Sequence, residues 1–197
     1  MIFWYIIRTE QLEDIFMAEL KDGAIEAAKK IKLLAFDCDG VLTDGSIIYD
    51  ENGVEYKMFN CKDGHGLVRM GKSGFVTAII TARNNGTVEH RAKNLNITEL
   101  RQGQKYKIPA LEEIMAKYNL NYENVSYMGD DIPDICILEK VGLACCPNDA
   151  VDEVKAVCNF KSSKDGGKGA VRELCDFILD SQGIPKIPNV AEGAENR

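Results

Sequence analysis

This chain has very little of what a zinc site needs. It contains only two histidines, His65 and His90, and none of its seven cysteines forms a Cys-x-x-Cys pair. A zinc centre is therefore not expected. Long apolar runs are also missing. The N-terminal stretch Met1-Ile2-Phe3-Trp4-Tyr5-Ile6-Ile7 turns polar at Arg8 and has no basic segment before it. It is too short to span a membrane and lacks the form of a signal peptide. No basic stretch is long enough to track a phosphate backbone, and the net charge is −7. Nucleic acid is thus a poor candidate for the main partner. There is no internal repeat and no low-complexity block. The cysteines are odd in number and scattered, mostly in apolar contexts. They read as small core residues in a reducing compartment, which makes the cytoplasm the expected location.

The composition is that of an ordinary globular chain. Of 197 residues, 45% are hydrophobic and 28% charged, enough for one well-buried domain with a small appendage. Residues 1–30 read as an N-terminal extension and helix, with Ala18 to Lys30 amphipathic. Met17 leaves two readings of residues 1–16 open, an accessory extension or an upstream start. Residues 31–182 form the main domain. Residues 183–197, rich in Pro, Gly, Asn and Glu, form an irregular tail.

Within the main domain, apolar runs alternate with helical patterns of about ten residues. Strands are expected at 31–36, 75–81, 98–100, 125–128 and 143–146. Helices are expected at 62–72, 87–95, 108–118, 132–140, 149–157 and 170–180. This alternation predicts an α/β fold: a doubly wound, parallel, Rossmann-like sheet with helices on both faces. Residues 46–59 alternate like a β-hairpin, and Asn52-Gly53 is a two-residue turn signal. The hairpin is the only antiparallel element expected.

The densest chemical signal is Leu33-Leu34-Ala35-Phe36-Asp37-Cys38-Asp39-Gly40. An apolar strand stops at two aspartates spaced i, i+2. In open α/β sheets that strand edge is where ligands bind. Two carboxylates there repel each other, so a metal ion or a cation is expected beside them. Three further strand ends carry polar residues: Thr81 and Arg83, the segment leading to Lys107, and Asp130 with Asp131. Together they offer hard oxygens for Mg²⁺, and a hydroxyl and an ammonium for phosphoryl oxygens.

Asp-x-Asp-Gly, then Thr, then Lys, then Gly-Asp-Asp, in that order, resembles the haloacid dehalogenase superfamily of phosphatases. The resemblance covers residues 31–180. It narrows on Phe36 to Gly45, on Phe59-Asn60-Cys61-Lys62-Asp63-Gly64-His65-Gly66, and on Gln102-Gly103-Gln104. Tyr127-Met128-Gly129-Asp130-Asp131-Ile132-Pro133-Asp134 and Gly167-Lys168-Gly169-Ala170-Val171-Arg172-Glu173 carry it further. All of these look like the 3-deoxy-D-manno-octulosonate 8-phosphate (KDO 8-phosphate) phosphatases of lipopolysaccharide biosynthesis.

The resemblance implies roles. Asp37 is the expected nucleophile, forming an aspartyl-phosphate. Asp39 is the expected proton carrier, acid in the first step and base in the second. Mg²⁺ is expected on the Asp37 carboxylate, the Asp39 backbone carbonyl and the Asp130 carboxylate. Thr81 and Lys107 are expected to hold the phosphoryl oxygens, with Lys105 the alternative to Lys107. Asp131 and Asp134 read as orienting groups behind the metal or as helix-start acids. Asn60, Cys61, Lys62, Asp63, Gly64, Arg83 and Arg91 match positions that contact the sugar or its carboxylate. His65 reads as a loop residue outside the chemistry.

Two departures stand out. Ala82 replaces the glycine of the family's Thr-Gly-Arg, which would strain a backbone of positive φ. Tyr106 stands where the family has an acid.

Neither inter-motif gap has room for a cap domain. The resemblance implies a homotetramer instead, with hairpins at its centre and a neighbour closing the site. Ile47, Tyr49, Tyr56 and Phe59 are the expected interface anchors. The substrate would be a small sugar phosphate. A phosphatase of nine-carbon sialic acid-type sugars is the near alternative. Its relatives tend to carry an acid at the position of Arg83 and to lack the Lys62 to Gly66 loop. A non-catalytic phospho-receiver or scaffold is the alternative of another class. In receivers the lysine follows the last strand end, whereas Lys107 precedes Asp130.

Overall fold

The computed structural model describes residues 19–185. Expectations for residues 1–18 and for the tail beyond Pro185 lie outside that range. The elements run β1 (Glu19–Leu20), α1 (Ala24–Ala28), β2 (Leu33–Phe36), β3 (Ile48–Tyr49), β4 (Glu55–Tyr56), α2 (Cys61–Lys72), β5 (Val76–Ile80) and α3 (Gly86–Asn94). There follow β6 (Glu99–Arg101), α4 (Lys107–Lys117), β7 (Val125–Met128), α5 (Ile135–Leu138), β8 (Leu143–Cys146), α6 (Asp152–Val157), β9 (Phe160–Lys161) and α7 (Ala170–Ser181). Short 3₁₀ turns cover Tyr122–Asn124 and Ile132–Asp134.

Among the described residues the main sheet has the order β1-β9-β8-β7-β2-β5-β6. All neighbours are parallel except β1 on β9. That antiparallel edge corrects the expectation that the hairpin alone would be antiparallel. The chain lays β2, β5 and β6 in one direction, then returns to the other side of β2 for β7, β8 and β9. The reversal makes the C-terminal end of β2 a topological switch point, where a crevice opens in this class of sheet.

The β2 side chains alternate between two cores, as strand geometry requires. Leu34 and Phe36 join Leu67, Met70, Val88, Leu174 and Ile178 beneath α1, α2, α3 and α7. Leu33 and Ala35 join Leu111, Ile114, Val125, Leu138 and Val154 beneath α4, α5 and α6. Each fully buried large aliphatic contributes about 1.5–3 kcal/mol relative to exposure. Five of the seven cysteines are buried, while Cys61 and Cys136 are exposed.

Two local readings change. The helix expected at 18–30 shrinks to α1, because Gly23 sits at φ +85° and sets a turn between β1 and the helix. The hairpin turn is not a two-residue Asn-Gly loop. Asp50 accepts hydrogen bonds from the Asn52 amide at 2.9 Å and the Val54 amide at 2.8 Å, organising a longer connection between Tyr49 and Glu55. Gly66 lets α2 approach α7 closely. A Cβ on Gly66 would lie 3.3 Å from the Arg172 Cα.

Candidate active site

Register alone gathers the chemical residues. Phe36 pairs with Ile79 of β5 and with Met128 of β7. Asp37 is one residue past its strand, and Thr81 and Asp130 are each two residues past those partners. The Asp37 amide donates to the Met128 carbonyl at 3.0 Å, extending the ladder into the site.

Lys107, the first residue of α4, lies at the centre of a buried polar hub. Its side chain is 2% exposed, and its Nζ is 2.7 Å from Asp37 Oδ2 and 2.6 Å from Asp134 Oδ1. It also donates to the Tyr127 hydroxyl at 3.2 Å, and that hydroxyl donates to Asp134 Oδ1 at 2.7 Å. Asp134 Oδ2 accepts from the Asp130 amide at 3.1 Å. Its capacity is thus spent on orienting its neighbours. Asp131 is exposed and caps the 3₁₀ turn through the Ile132 amide at 2.8 Å. Lys105 is exposed and makes no such contacts.

Carboxylate oxygens of Asp37, Asp130 and Asp134 lie within 4.8 Å of one another. Gly40 makes the crowding possible: at φ +76° it turns back so closely that a Cβ would stand 2.0 Å from Asp130 Oδ2. The electrostatics are unbalanced. Burial raises the Asp37 carboxyl to about 6, against the opposing pull of Lys107. Burial, and then the charges of Asp37 and Asp134, raise Asp130 to about 8. No cation pairs with Asp130 among the described residues, whereas Lys107 is already shared. A carboxylate cluster with this deficit and only oxygen donors fits a hard divalent cation.

Asp39 points elsewhere. Its carboxylate meets the Lys57 ammonium, which also lies 2.9 Å from Glu55 Oε1. Glu55 Oε2 accepts from Arg83 at 2.8 Å, and Arg83 donates to the Tyr49 hydroxyl at 3.1 Å. Arg83 Nε stands 4.0 Å from Asp39 Oδ2. Glu55, Lys57 and Tyr127 were not singled out from the sequence. The signal for the first two was present: Glu55 and Lys57 share one hairpin face at i, i+2, opposite Val54, Tyr56 and Met58.

The remaining candidates divide. Thr81 is buried, and its hydroxyl accepts from the Arg83 amide at 3.5 Å. Ala82 is exposed and lacks positive φ, so replacing glycine there costs no strain. Tyr106 is 84% exposed and stands clear of the hub. Asn60 caps α2 through the Lys62 amide at 2.8 Å and donates to the Gly167 carbonyl at 3.1 Å. Asp63 is buried, accepting from the Gly169 and Arg172 amides at 3.2 and 2.8 Å, so it ties α2 to α7. Gly64 lies buried beneath the Arg91 guanidinium, which donates to the Asn60 carbonyl at 3.1 Å. Cys61 and Lys62 are exposed beside this corner. His65 lies in α2, not in a loop, with its Nδ1 3.3 Å from Arg172 Nη1.

A Rossmann-like sheet with no cap among the described residues, an Asp-x-Asp loop at its switch point and a lysine–acid hub behind it defines a haloacid dehalogenase-like hydrolase. Residues 76–174 match the family model described by that name. The 3-deoxy-D-manno-octulosonate 8-phosphate phosphatase KdsC of Escherichia coli K12 is 43% identical over 159 residues, 81% of this chain and 85% of that protein. The chain belongs to the KDO 8-phosphate phosphatase family. Among solved structures, the enzyme of that name from Moraxella catarrhalis, in complex with magnesium ion, phosphate ion and KDO, is 40% identical. It superposes with a TM-score of 0.80, covering 83% of this chain and 94% of that one. A probable YrbI family phosphatase from Pseudomonas syringae pv. phaseolica is 42% identical, with a TM-score of 0.81 over 83% of this chain and 93% of that one.

Proposed function

We propose that this protein is a Mg²⁺-dependent phosphatase that hydrolyses KDO 8-phosphate to KDO and inorganic phosphate in lipopolysaccharide biosynthesis. The observation that carries the reading is the difference in surroundings between the two loop aspartates. Asp37 lies against Lys107 in the acidic cluster, while Asp39 is turned away toward Lys57 and Arg83. Asp37 attacks phosphorus as the ester P–O bond breaks, and Asp39 delivers the proton that the sugar alkoxide needs to leave. Asp39 then takes a proton from water, which attacks the aspartyl-phosphate and frees phosphate and the Asp37 carboxylate. Thr81 and Lys107 hold the phosphoryl oxygens. The Asp37 and Asp130 carboxylates and the Asp39 carbonyl would hold Mg²⁺, whose charge would offset the repulsion between nucleophile and phosphate. Arg83 and Arg91, with the Asn60 to Gly64 corner, supply contacts for the sugar acid. Sustained, Mg²⁺-dependent phosphate release from KDO 8-phosphate tests this reading. A single phosphorylation per chain with no turnover would make the protein a phospho-receiver instead.

The raised carboxyl groups set the pH dependence of metal binding. Asp130 in the fold titrates at about 8, above its ordinary 3.8, so the folded state holds this proton more tightly than the unfolded chain. Without metal, its stabilising contribution is full below about pH 4 and is lost as pH rises through about 8. A divalent cation must displace the same proton. The rise in melting temperature caused by Mg²⁺ is therefore expected to be larger at pH 8.5 than at pH 6, as read by calorimetry. An equal rise at both would contradict the assignment of Asp130.

We also infer a homo-oligomer, a tetramer by the family resemblance, working in the cytoplasm. No helix among the described residues is long and apolar enough to cross a membrane. The hairpin supports assembly through its inverted faces. Val54, Tyr56 and Met58 are 51, 53 and 63% exposed, with Ile47, Ile48 and Tyr49 beside them. Glu55 and Lys57, between them in sequence, point inward. Such an apolar edge needs a cover, and a second hairpin is the natural one. Phe59 is not part of that edge: it packs on the core with the Arg91 guanidinium 5.6 Å over its ring. Ile47→Glu with Met58→Glu is expected to give a monomer by light scattering where the parent chain gives an oligomer. A monomeric parent chain at micromolar concentration would refute the assembly.

A further inference from the structure

We infer that Lys57 is a positioning residue that holds the Asp39 carboxylate in the orientation proton transfer requires. This rests on the phosphatase reading and deepens it. The Lys57 side chain is 1% exposed, although lysine is among the residues least often buried. Burial works against its ammonium, and the Asp39 and Glu55 carboxylates outweigh that penalty. The groups form a closed ring of alternating charge. Lys57 meets Asp39 Oδ1 and lies 2.9 Å from Glu55 Oε1; Glu55 Oε2 accepts from Arg83 at 2.8 Å; Arg83 Nε returns to Asp39 Oδ2 at 4.0 Å.

The four members come from three places. Asp39 follows β2, Arg83 follows β5, and Glu55 and Lys57 sit on and just after β4. The hairpin thus reaches the one loop carboxylate that Lys107 does not touch. Lys107 is committed to Asp37 and Asp134, so without Lys57 the Asp39 side chain loses its close ion pair and keeps only the longer contact to Arg83. A carboxylate free to rotate spends less time aimed at the leaving oxygen. The loss should appear in kcat for esters whose alkoxide needs a proton, and not in KM.

The test compares two esters under Mg²⁺. KDO 8-phosphate leaves as an alkoxide and needs the Asp39 proton. p-Nitrophenyl phosphate leaves as a stable phenolate and does not. Lys57→Met is expected to lower kcat for KDO 8-phosphate on the order of 10²-fold, with KM little changed. With p-nitrophenyl phosphate it should produce a rapid burst of p-nitrophenolate, one per site, absent from the parent enzyme. A slow steady state follows the burst, because the second step needs Asp39 as base. Lys57→Arg should recover part of the kcat. Equal losses on both esters without a burst, or no loss on either, would overturn the proposal.

Lys57→Met leaves Glu55 Oε1 buried without its ammonium. Should that variant fail to fold, Lys57→Met with Glu55→Gln removes both charges and is held to the same kinetic pattern. If the phosphatase reading itself were wrong, the parent enzyme would turn over neither ester, an outcome distinct from all of these.

Discussion

Asp37→Asn is expected to cut phosphate release from every ester on the order of 10⁴-fold or more while leaving the fold intact. The amide oxygen can still accept from the Cys38 amide, a bond now 2.6 Å long. Lys107 keeps Asp134 as a partner at 2.6 Å, so no buried ammonium is orphaned. Asp130 loses a repelling neighbour, which should bring its carboxyl down toward the ordinary range. The metal-free variant should therefore melt no lower than the parent. Discontinuous phosphate assays with calorimetry on the same preparation check both halves. Activity that survives the substitution would refute Asp37 as the nucleophile.

Lys107→Ala is expected to damage stability as well as activity. The side chain is 2% exposed and faces Asp134, itself 1% exposed, and Asp37. Removing one partner of a buried ion pair typically costs about 3–5 kcal/mol, because the remaining charge stays buried without compensation. At about 2–4 °C per kcal/mol for a domain of this size, the melting temperature should fall by roughly 6–20 °C without metal. The deficit should shrink as pH is lowered, since the stranded carboxylates then take up protons and lose their charge. A deficit that grows toward low pH, or none at all, would contradict the hub. Phosphate release should fall with it, as Lys107 is also the proposed cation for the phosphoryl oxygens.

Much of this architecture was legible because strand ends carry their own punctuation. Asp37, Thr81 and Asp130 each follow an apolar run by one or two residues, and parallel register brings such positions together. Lys107 required the order of motifs, since a lysine at a helix start has no distinctive pattern of its own. The paired edge strands β1 and β9 escaped: they are too short for a period-two signal and, unlike the hairpin, have no turn motif beside them, so only their pairing defines them. Tyr127 was hidden because a buried tyrosine in a strand reads as core, and its hydroxyl acquires meaning only with Asp134 and Lys107 around it. Lys57 was hidden for a different reason. Alternating charge and apolar residues on a hairpin read as an ordinary amphipathic strand, and the sequence does not say that the charged face is the inward one. Asp63, matched to the sugar-contacting corner by motif, also accepts from the Gly169 and Arg172 amides at the start of α7, a tie with no sign in the sequence.

The most direct test of the central claim is kcat/KM for phosphate release across a panel of sugar phosphates with Mg²⁺. The panel should hold KDO 8-phosphate, a nine-carbon sialic acid-type 9-phosphate and simple hexose phosphates. The account predicts a clear preference for KDO 8-phosphate, with Arg83 meeting the eight-carbon acid. Equal turnover of all, or a preference for the nine-carbon acid, would contradict it.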